Sequence, residues 1–95
     1  MGHLRFDWDP RKAALNLPKP GVSFSEVEIA FSDERALLID DPDHSGVDDR
    51  YLLLGPSSGL RLSVVAHGHR ASDTVVRIIS AWKATRAERR HYIDR

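Results

Sequence analysis

The sequence contains no cysteine. Disulfide bonds and thiolate metal sites are therefore excluded, and cysteine usage gives no indication of the redox compartment. A zinc site built from histidines is not expected either. His67 is predicted at a strand end and His69 in a hairpin turn, and neither has another ligand at a metal-binding spacing. The sequence thus predicts no metal and no other cofactor.

Long hydrophobic runs are missing as well. No apolar segment approaches the roughly 20 residues that a helix needs to cross a bilayer, and the first residues lack the apolar stretch of a secretory signal. We therefore expect a cytoplasmic protein without membrane contact. With 95 residues, of which 41% are hydrophobic and 29% charged, the chain has the size and composition of one globular domain, residues 1–95.

An overall surplus of charge is also absent, because 14 basic and 14 acidic residues balance. The two signs are nonetheless separated along the chain. Residues 21–50 hold nine acidic residues and two arginines, whereas residues 51–95 hold eight basic and three acidic residues. The basic stretch favours a polyanion as partner, and the acidic stretch favours a basic one. The alternative is that folding mixes both stretches into an ordinary solvated surface.

Two helix starts are indicated in the first third of the chain. In DWDPRKAALNL, Asp9 is a typical N-cap and Pro10 suits the first helical position, which predicts a helix over about residues 10–16. In GVSFSEVEIAF, Ser23 and Glu26 have the spacing of a capping box, and the apolar residues around them share one helical face. This pattern predicts a second helix over about residues 24–31.

Strand patterns dominate the rest of the chain. The runs ALLID, YLLLG, LRLSVVAH and TVVRIIS are short, apolar or alternating, and turn-rich segments separate them. Four such strands favour an antiparallel sheet, to which FDW adds a possible short N-terminal strand. Thr85 and Glu88 form a second capping-box pattern, which predicts a helix over about residues 86–94. The predicted class is α+β: two N-terminal helices, a four-stranded antiparallel sheet and a C-terminal helix.

Several motifs together resemble one known family. They are FDWDPRKAALNL, GVSF, DDPDHS with a basic residue six positions after the histidine, RIISA, KAT, ER and a tyrosine near the end. In this order and spacing they resemble the BrnT toxins of bacterial type II toxin–antitoxin systems, over nearly the whole chain. The resemblance implies a RelE-like fold and an endoribonuclease that cuts RNA without a metal and thereby inhibits translation.

The resemblance also implies a protein partner. Toxins of this family are neutralised by BrnA, a ribbon-helix-helix antitoxin, in assemblies of two toxins and two antitoxins. Such a complex represses its own operon, so operator DNA would be contacted through the antitoxin.

Two positions depart from the family pattern. A histidine usually precedes the glycine of GVSF, where this chain has Pro20, and an arginine usually follows RIISA, where this chain has Trp82. Both changes remove groups that serve RNA cleavage. We therefore hypothesise that the activity of this chain is weakened.

Cleavage of RNA without a metal needs a base near the 2′-hydroxyl, cations around the phosphate and an acid for the leaving 5′-oxygen. The resemblance points to four catalytic residues: His44, Arg50, Arg77 and Glu88. Lys83, just before the last helix, is a fifth candidate that could bind RNA or act as a charged catalyst. Histidine suits proton transfer and arginine suits phosphate oxygens. Structural roles remain as alternatives. His44 would bond to its acidic neighbours, Arg77 would pair with an acid of the 40–49 loop, Lys83 would be solvated and Glu88 would cap the last helix.

RNA binding is expected from four further residues, which are Lys12, Arg86, Arg90 and Tyr92. Arg86 and Arg90 lie one helical turn apart and suit phosphate contacts rather than base reading. Tyr92 would stack on a base or anchor the last helix to the sheet, and we favour the anchor. Two other functions stay open: a catalytically silent homologue that binds the antitoxin as a corepressor, and a simple RNA-binding module.

Overall fold

A computed structural model of the chain describes residues 4–16, 22–40, 50–59, 61–70 and 74–94. Its elements in chain order are β1 (Arg5–Trp8), α1 (Pro10–Asn16), a 3-10 helix (Glu28–Ser32), β2 (Leu37–Asp40), β3 (Tyr51–Pro56), β4 (Leu62–Arg70), β5 (Val75–Lys83) and α2 (Arg86–Asp94). The predicted α+β class is confirmed. None of the described helices is long and apolar enough to span a bilayer.

Five strands form one mixed sheet in the order β1-β5-β4-β3-β2. Strands β2 to β5 pair antiparallel with their sequence neighbours, as predicted. β1 instead runs parallel to β5, with Arg5 opposite Val75 and Trp8 opposite Ile78. The prediction of a four-stranded, purely antiparallel sheet is therefore wrong in this detail. Because α1 and the 3-10 helix separate β1 from the other strands along the chain, no tight turn forces β1 to run antiparallel.

The second predicted N-terminal helix is not an α-helix. Its capping box forms, with the Ser23 amide donating to Glu26 Oε1 at 2.8 Å and the Glu26 amide donating to Ser23 Oγ at 3.2 Å. The Glu26 carbonyl, however, accepts the Ser58 amide at 2.8 Å, and the Ala30 amide bonds to the Val27 carbonyl at 3.0 Å. A tertiary bond thus takes the carbonyl that an α-helix would use, and the chain tightens into a 3-10 helix.

Apolar side chains cover both faces of the sheet. The first core lies against α1 and the 3-10 helix and contains Val22, Phe24, Val27, Ala30, Leu53, Val65, Val76, Ile78 and Ala81. The second core lies on the opposite face, beneath α2, and contains Leu54, Val64 and Ala84, with Leu37, Leu52, Leu62, Trp82 and Tyr92 packed against them. The alternating strand pattern explains the two sets, because successive side chains of a strand point to opposite faces.

Asn16, the last residue of α1, fastens that helix to β5. Its Nδ2 donates to the Ala81 carbonyl at 2.7 Å and to the Val22 carbonyl at 3.1 Å. Its Oδ1 accepts the Ala81 amide at 3.2 Å and the Ser80 hydroxyl at 3.0 Å. The side-chain amide therefore pairs with the backbone of Ala81 much as a neighbouring strand would, beyond the point where β1 ends.

His67 is the one titratable side chain in the part of the core that the structure describes. It lies in β4, is 1% exposed, and contacts the Phe31 ring edge-on, with ring centroids 4.8 Å apart. Burial is the main cause that lowers the pKa of His67, to about 4; a hydrogen bond to the Val65 carbonyl opposes this effect and the nearby His69 adds to it. The ring is therefore neutral at physiological pH.

This burial predicts a pH-dependent stability. In the unfolded chain His67 regains an ordinary pKa of about 6.5, so between that value and about 4 the unfolded chain binds more protons. The stability that the neutral, buried His67 ring contributes is therefore complete above pH 6.5 and is lost as the pH falls towards 4. We expect the free energy of unfolding to drop by about 1 kcal/mol between pH 7.5 and 5.5.

Urea denaturation at the two pH values measures this change. His91 is exposed on α2, so His91→Gln is expected to keep the dependence. His67→Gln is expected to remove it. An unchanged pH dependence in a folded His67→Gln protein would show that another group is responsible.

Candidate functional site

Arg77 lies on the face of β5 opposite the first core. Val76 and Ile78 point into that core, so strand alternation places Arg77 on the other side. Its Nη1 donates to Asp7 Oδ1 at 3.0 Å, and the two side chains are 31% and 47% exposed. The parallel register of β1 and β5 sets Asp7 directly opposite Arg77. Among the described residues, the partner of Arg77 is thus Asp7. Residues 41–49, which hold the acids suggested as an alternative partner, lie outside the described residues.

An irregularity in β5 changes which residues accompany Arg77. Ser80 is paired with Ala66 and Ile78 with His67, so Ile79 is an extra residue opposite the junction of Ala66 and His67. This bulge shifts the alternation by one residue. As a result, Arg77 and Trp82 lie on the same face of the sheet despite their odd spacing.

Glu88, in the first turn of α2, caps that helix and also binds the Trp82 indole. As the capping box predicts, its Oε1 accepts the Thr85 amide at 2.8 Å, and its own amide donates to Thr85 Oγ1 at 3.2 Å. The Trp82 indole Nε1 also donates to both carboxylate oxygens, at 3.3 and 3.4 Å. The indole therefore lies against the carboxylate that the sequence suggests as a general base.

Tyr92 anchors α2 to the body of the protein. Its hydroxyl donates to Asp33 Oδ2 at 2.7 Å, and its ring packs against the second core. This geometry agrees with the anchoring interpretation of Tyr92. No residue of α2 is buried, so the helix is held to the sheet largely by the hydrogen bonds of Tyr92 to Asp33 and of Trp82 to Glu88.

We expect Tyr92→Phe to loosen α2 without unfolding the protein. The change removes the hydrogen bond to Asp33 and keeps the ring, which corresponds to about 1 kcal/mol. Amide exchange in α2 should accelerate about fivefold while the strands exchange as before. Ile93→Ala is the matched control, since Ile93 is 63% exposed on the same helix. Equal exchange rates in Tyr92→Phe and wild-type protein would contradict an anchoring role.

A groove runs between α2 and the sheet. Its inner part, about 180 Å³ in volume, has an apolar floor with Glu88 and His91 at the wall; the floor residues are Leu37, Ile39, Leu52, Leu54 and Val64. A wider outer part, about 540 Å³ in volume, is lined by Leu37, Ala87, Arg90, His91 and Asp94. His91 and Leu37 line both parts, so the two form one groove with an imidazole and a guanidinium at its entrance.

The other predicted site residues are distributed as follows. Arg86 and Arg90 are exposed on α2, Lys83 is exposed at the end of β5, Lys12 is exposed on α1, and Arg50 is half-buried just before β3. His44 and Pro20 lie outside the described residues. The structure thus brings Lys83, Glu88 and the α2 arginines to one end of the sheet.

Sequence reasoning missed two residues of this site. Asp7 carries no sequence signal, because its pairing with Arg77 depends on the parallel register of β1. For His91 the available signal is its spacing, since it follows Glu88 by three positions and so shares its side of α2. Within the described ranges, no group of three or more His, Asp or Glu side chains is placed to hold a metal ion.

The fold and the site together define a small α+β protein with a cationic helix beside an apolar groove. The family model described as "Ribonuclease toxin, BrnT, of type II toxin-antitoxin system" matches residues 8–88. This chain therefore belongs to the BrnT family of ribonuclease toxins, and a type II toxin implies an antitoxin partner.

A solved structure supports the fold independently. The 1.1 Å crystal structure of the Brucella abortus ribonuclease toxin BrnT matches with a TM-score of 0.67 at 22% sequence identity, covering 87% of this chain and 99% of that chain. Similarity at this level of identity shows a shared fold. No curated protein matches the chain significantly.

Proposed function

We propose that this protein, acting as one domain in the cytoplasm, is a metal-independent endoribonuclease that inhibits translation by cutting RNA. The observation that carries the proposal is the family match over residues 8–88. The cationic side chains of β5 and α2 support it, because neutralising successive phosphates requires cations along one surface.

In this proposal, RNA lies along α2 and the adjoining face of the sheet. The exposed Arg86 and Arg90 contact backbone phosphates. Lys12 lies on α1, over the opposite face, and contacts RNA that continues around the β1 edge of the sheet. The groove beside α2 receives an unstacked base, since an apolar floor with an imidazole at its wall suits a base plane. Tyr92 holds the wall of this groove in place through Asp33.

In the proposed cleavage, arginine and lysine side chains neutralise phosphate charge and a histidine transfers the protons. Arg77 and Arg50 neutralise the charge that develops on the phosphate, and Lys83 adds a further cation near the start of α2. His44 exchanges the protons of the 2′-hydroxyl and the leaving oxygen. Glu88 is the less suitable base, because its carboxylate already accepts bonds from Thr85 and Trp82.

The partner in this proposal is a BrnA-type ribbon-helix-helix antitoxin in a complex of two toxins and two antitoxins. The complex represses the shared operon, so this chain reaches operator DNA through the antitoxin.

Expression of the chain in bacteria is expected to arrest growth. Coexpression of the ribbon-helix-helix protein encoded by the neighbouring gene is expected to restore it. Normal growth with a folded, soluble protein would count against a toxin.

One observation favours a second candidate, an antitoxin-binding corepressor without catalytic activity. Trp82 stands where the family usually has arginine, and its indole lies against Glu88 at 3.3 Å. This position therefore offers no cation to a phosphate. In the corepressor, the antitoxin complex forms and represses transcription, while RNA incubated with the free protein remains intact.

A further inference from the structure

Two histidines on β4 form a pair that the proposed ribonuclease does not use. His67 and His69 both belong to β4, so the expectation that His69 lies in the hairpin turn is wrong. Residues two apart in a strand point to the same face. Their ring centroids are accordingly 5.2 Å apart, and the rings meet at 75°.

The hydrogen bond of His67 determines which of its nitrogens carries the proton. Its Nδ1 lies 3.0 Å from the Val65 carbonyl oxygen, which can only accept, so Nδ1 is the donor. In the neutral ring, Nε2 therefore has a free lone pair. Donation from the other ring nitrogen to a backbone carbonyl is the arrangement typical of metal-binding histidines.

Both rings bury a nitrogen without a hydrogen-bond partner. Among the described residues, His67 Nε2 and His69 Nδ1 are such atoms, and the His67 side chain as a whole is 1% exposed. Leaving a buried polar atom unpaired costs about 1–3 kcal/mol, so two on neighbouring rings call for an explanation.

Aromatic rings surround the two imidazoles and favour their neutral form. The Phe31 ring lies 4.8 Å from His67, and the Tyr51 ring lies 6.0 Å from His67 and 5.6 Å from His69. Desolvation in this environment keeps His67 unprotonated, as the lowered pKa also indicates. Neutral imidazole nitrogen is a preferred ligand of Cu²⁺ and Zn²⁺.

We propose that His67 Nε2 and His69 Nδ1 form a two-imidazole binding site for a divalent transition-metal ion, with Cu²⁺ bound most tightly. The ion enters from the side of His69, the more exposed ring, and water completes its coordination. Bound metal would link the rings within β4 and stabilise the folded state. The site is separate from RNA cleavage, which needs no metal in the proposed function.

Electron paramagnetic resonance of the untagged, full-length chain with one equivalent of Cu²⁺ tests this site. Every protein in the experiment carries His3→Gln, because a histidine beside an amino terminus is itself a strong Cu²⁺ ligand. Nitrogen splitting from two imidazoles is expected for this reference chain, which is the wild type of the comparisons below. His69→Gln should lose one of the two nitrogens and bind Cu²⁺ at least tenfold more weakly. His91→Gln, on the other face of the sheet, should leave the spectrum unchanged.

His67→Gln provides a second variant, accepted only if its circular dichroism matches that of the wild type. It too should lose one nitrogen. The proposal is overturned if His69→Gln binds Cu²⁺ with wild-type affinity and spectrum, if binding depends on His91, or if the wild type binds no Cu²⁺. Since the readout is metal binding, failure here leaves the ribonuclease proposal untouched.

Discussion

Arg77→Ala is expected to slow RNA cleavage by about 10²–10³-fold with little change in the free energy of unfolding. The loss of rate follows because a preorganised cation that stabilises developing phosphate charge contributes on this scale. The effect on stability is small because the ion pair with Asp7 is 31% and 47% exposed, and exposed pairs contribute at most about 1 kcal/mol. Single-turnover cleavage and urea denaturation measure the two quantities.

Asp7→Asn separates the catalytic role of Arg77 from a structural one. It weakens the same ion pair but keeps the guanidinium on the sheet face, so cleavage should stay within about threefold of the wild-type rate. Arg77→Lys should remain well below wild type, because an ammonium lacks the planar fork that fits two phosphate oxygens. Equal losses of cleavage in Asp7→Asn and Arg77→Ala would contradict a direct role for Arg77.

Asn16→Ala is expected to produce the largest loss of stability, about 3 kcal/mol. The change removes four hydrogen bonds of 2.7–3.2 Å and leaves the backbone amide and carbonyl of Ala81 unpaired in a partly buried position. Since β1 pairs with β5 only as far as Ile78, no strand is then present to bond the Ala81 backbone in place of Asn16. Urea denaturation at pH 7.5 measures the change.

Two matched variants control this experiment. Asn16→Asp replaces the donating Nδ2 by a charged oxygen that faces the Ala81 and Val22 carbonyl oxygens, so it should be at least as destabilising as Asn16→Ala. Leu15→Ala changes a residue of the same helix that is 75% exposed, and it should alter stability by less than about 0.5 kcal/mol. A loss of under 1 kcal/mol in Asn16→Ala would show that the Asn16 bonds are replaced by water.

Local patterns predicted much of the fold. Both capping boxes form, at Ser23 and at Thr85, because each depends only on residues three apart. The antiparallel strands follow from alternation and turns. The α-helix predicted after Ser23 fails because Ser58, which is distant in sequence, takes the carbonyl of Glu26. A pattern confined to one segment contains no information about such a contact.

The candidate site was less accessible from the sequence, for the same reason. The resemblance supplied Arg77 and Glu88, and the place before the last helix supplied Lys83. The pair of Arg77 with Asp7, however, requires the register of two strands whose paired residues are 70 positions apart. The contact between Trp82 and Glu88 requires the turn from β5 into α2. Individual candidate residues could thus be predicted, whereas their partners depended on tertiary structure.

Trp82→Arg compares the residue of this chain with the arginine that the family usually has at position 82. In the wild type, the Trp82 indole packs against the second core and donates to Glu88. An arginine there would pair with the same carboxylate while presenting further N–H donors to a phosphate. Trp82→Arg is therefore expected to cut RNA faster than the wild type.

The most direct test is cleavage of a structured RNA by the purified protein in excess EDTA, with Trp82→Arg in parallel. Cut products are expected from both proteins, with the wild type slower. Intact RNA with both folded proteins would contradict a metal-independent ribonuclease and would favour the corepressor.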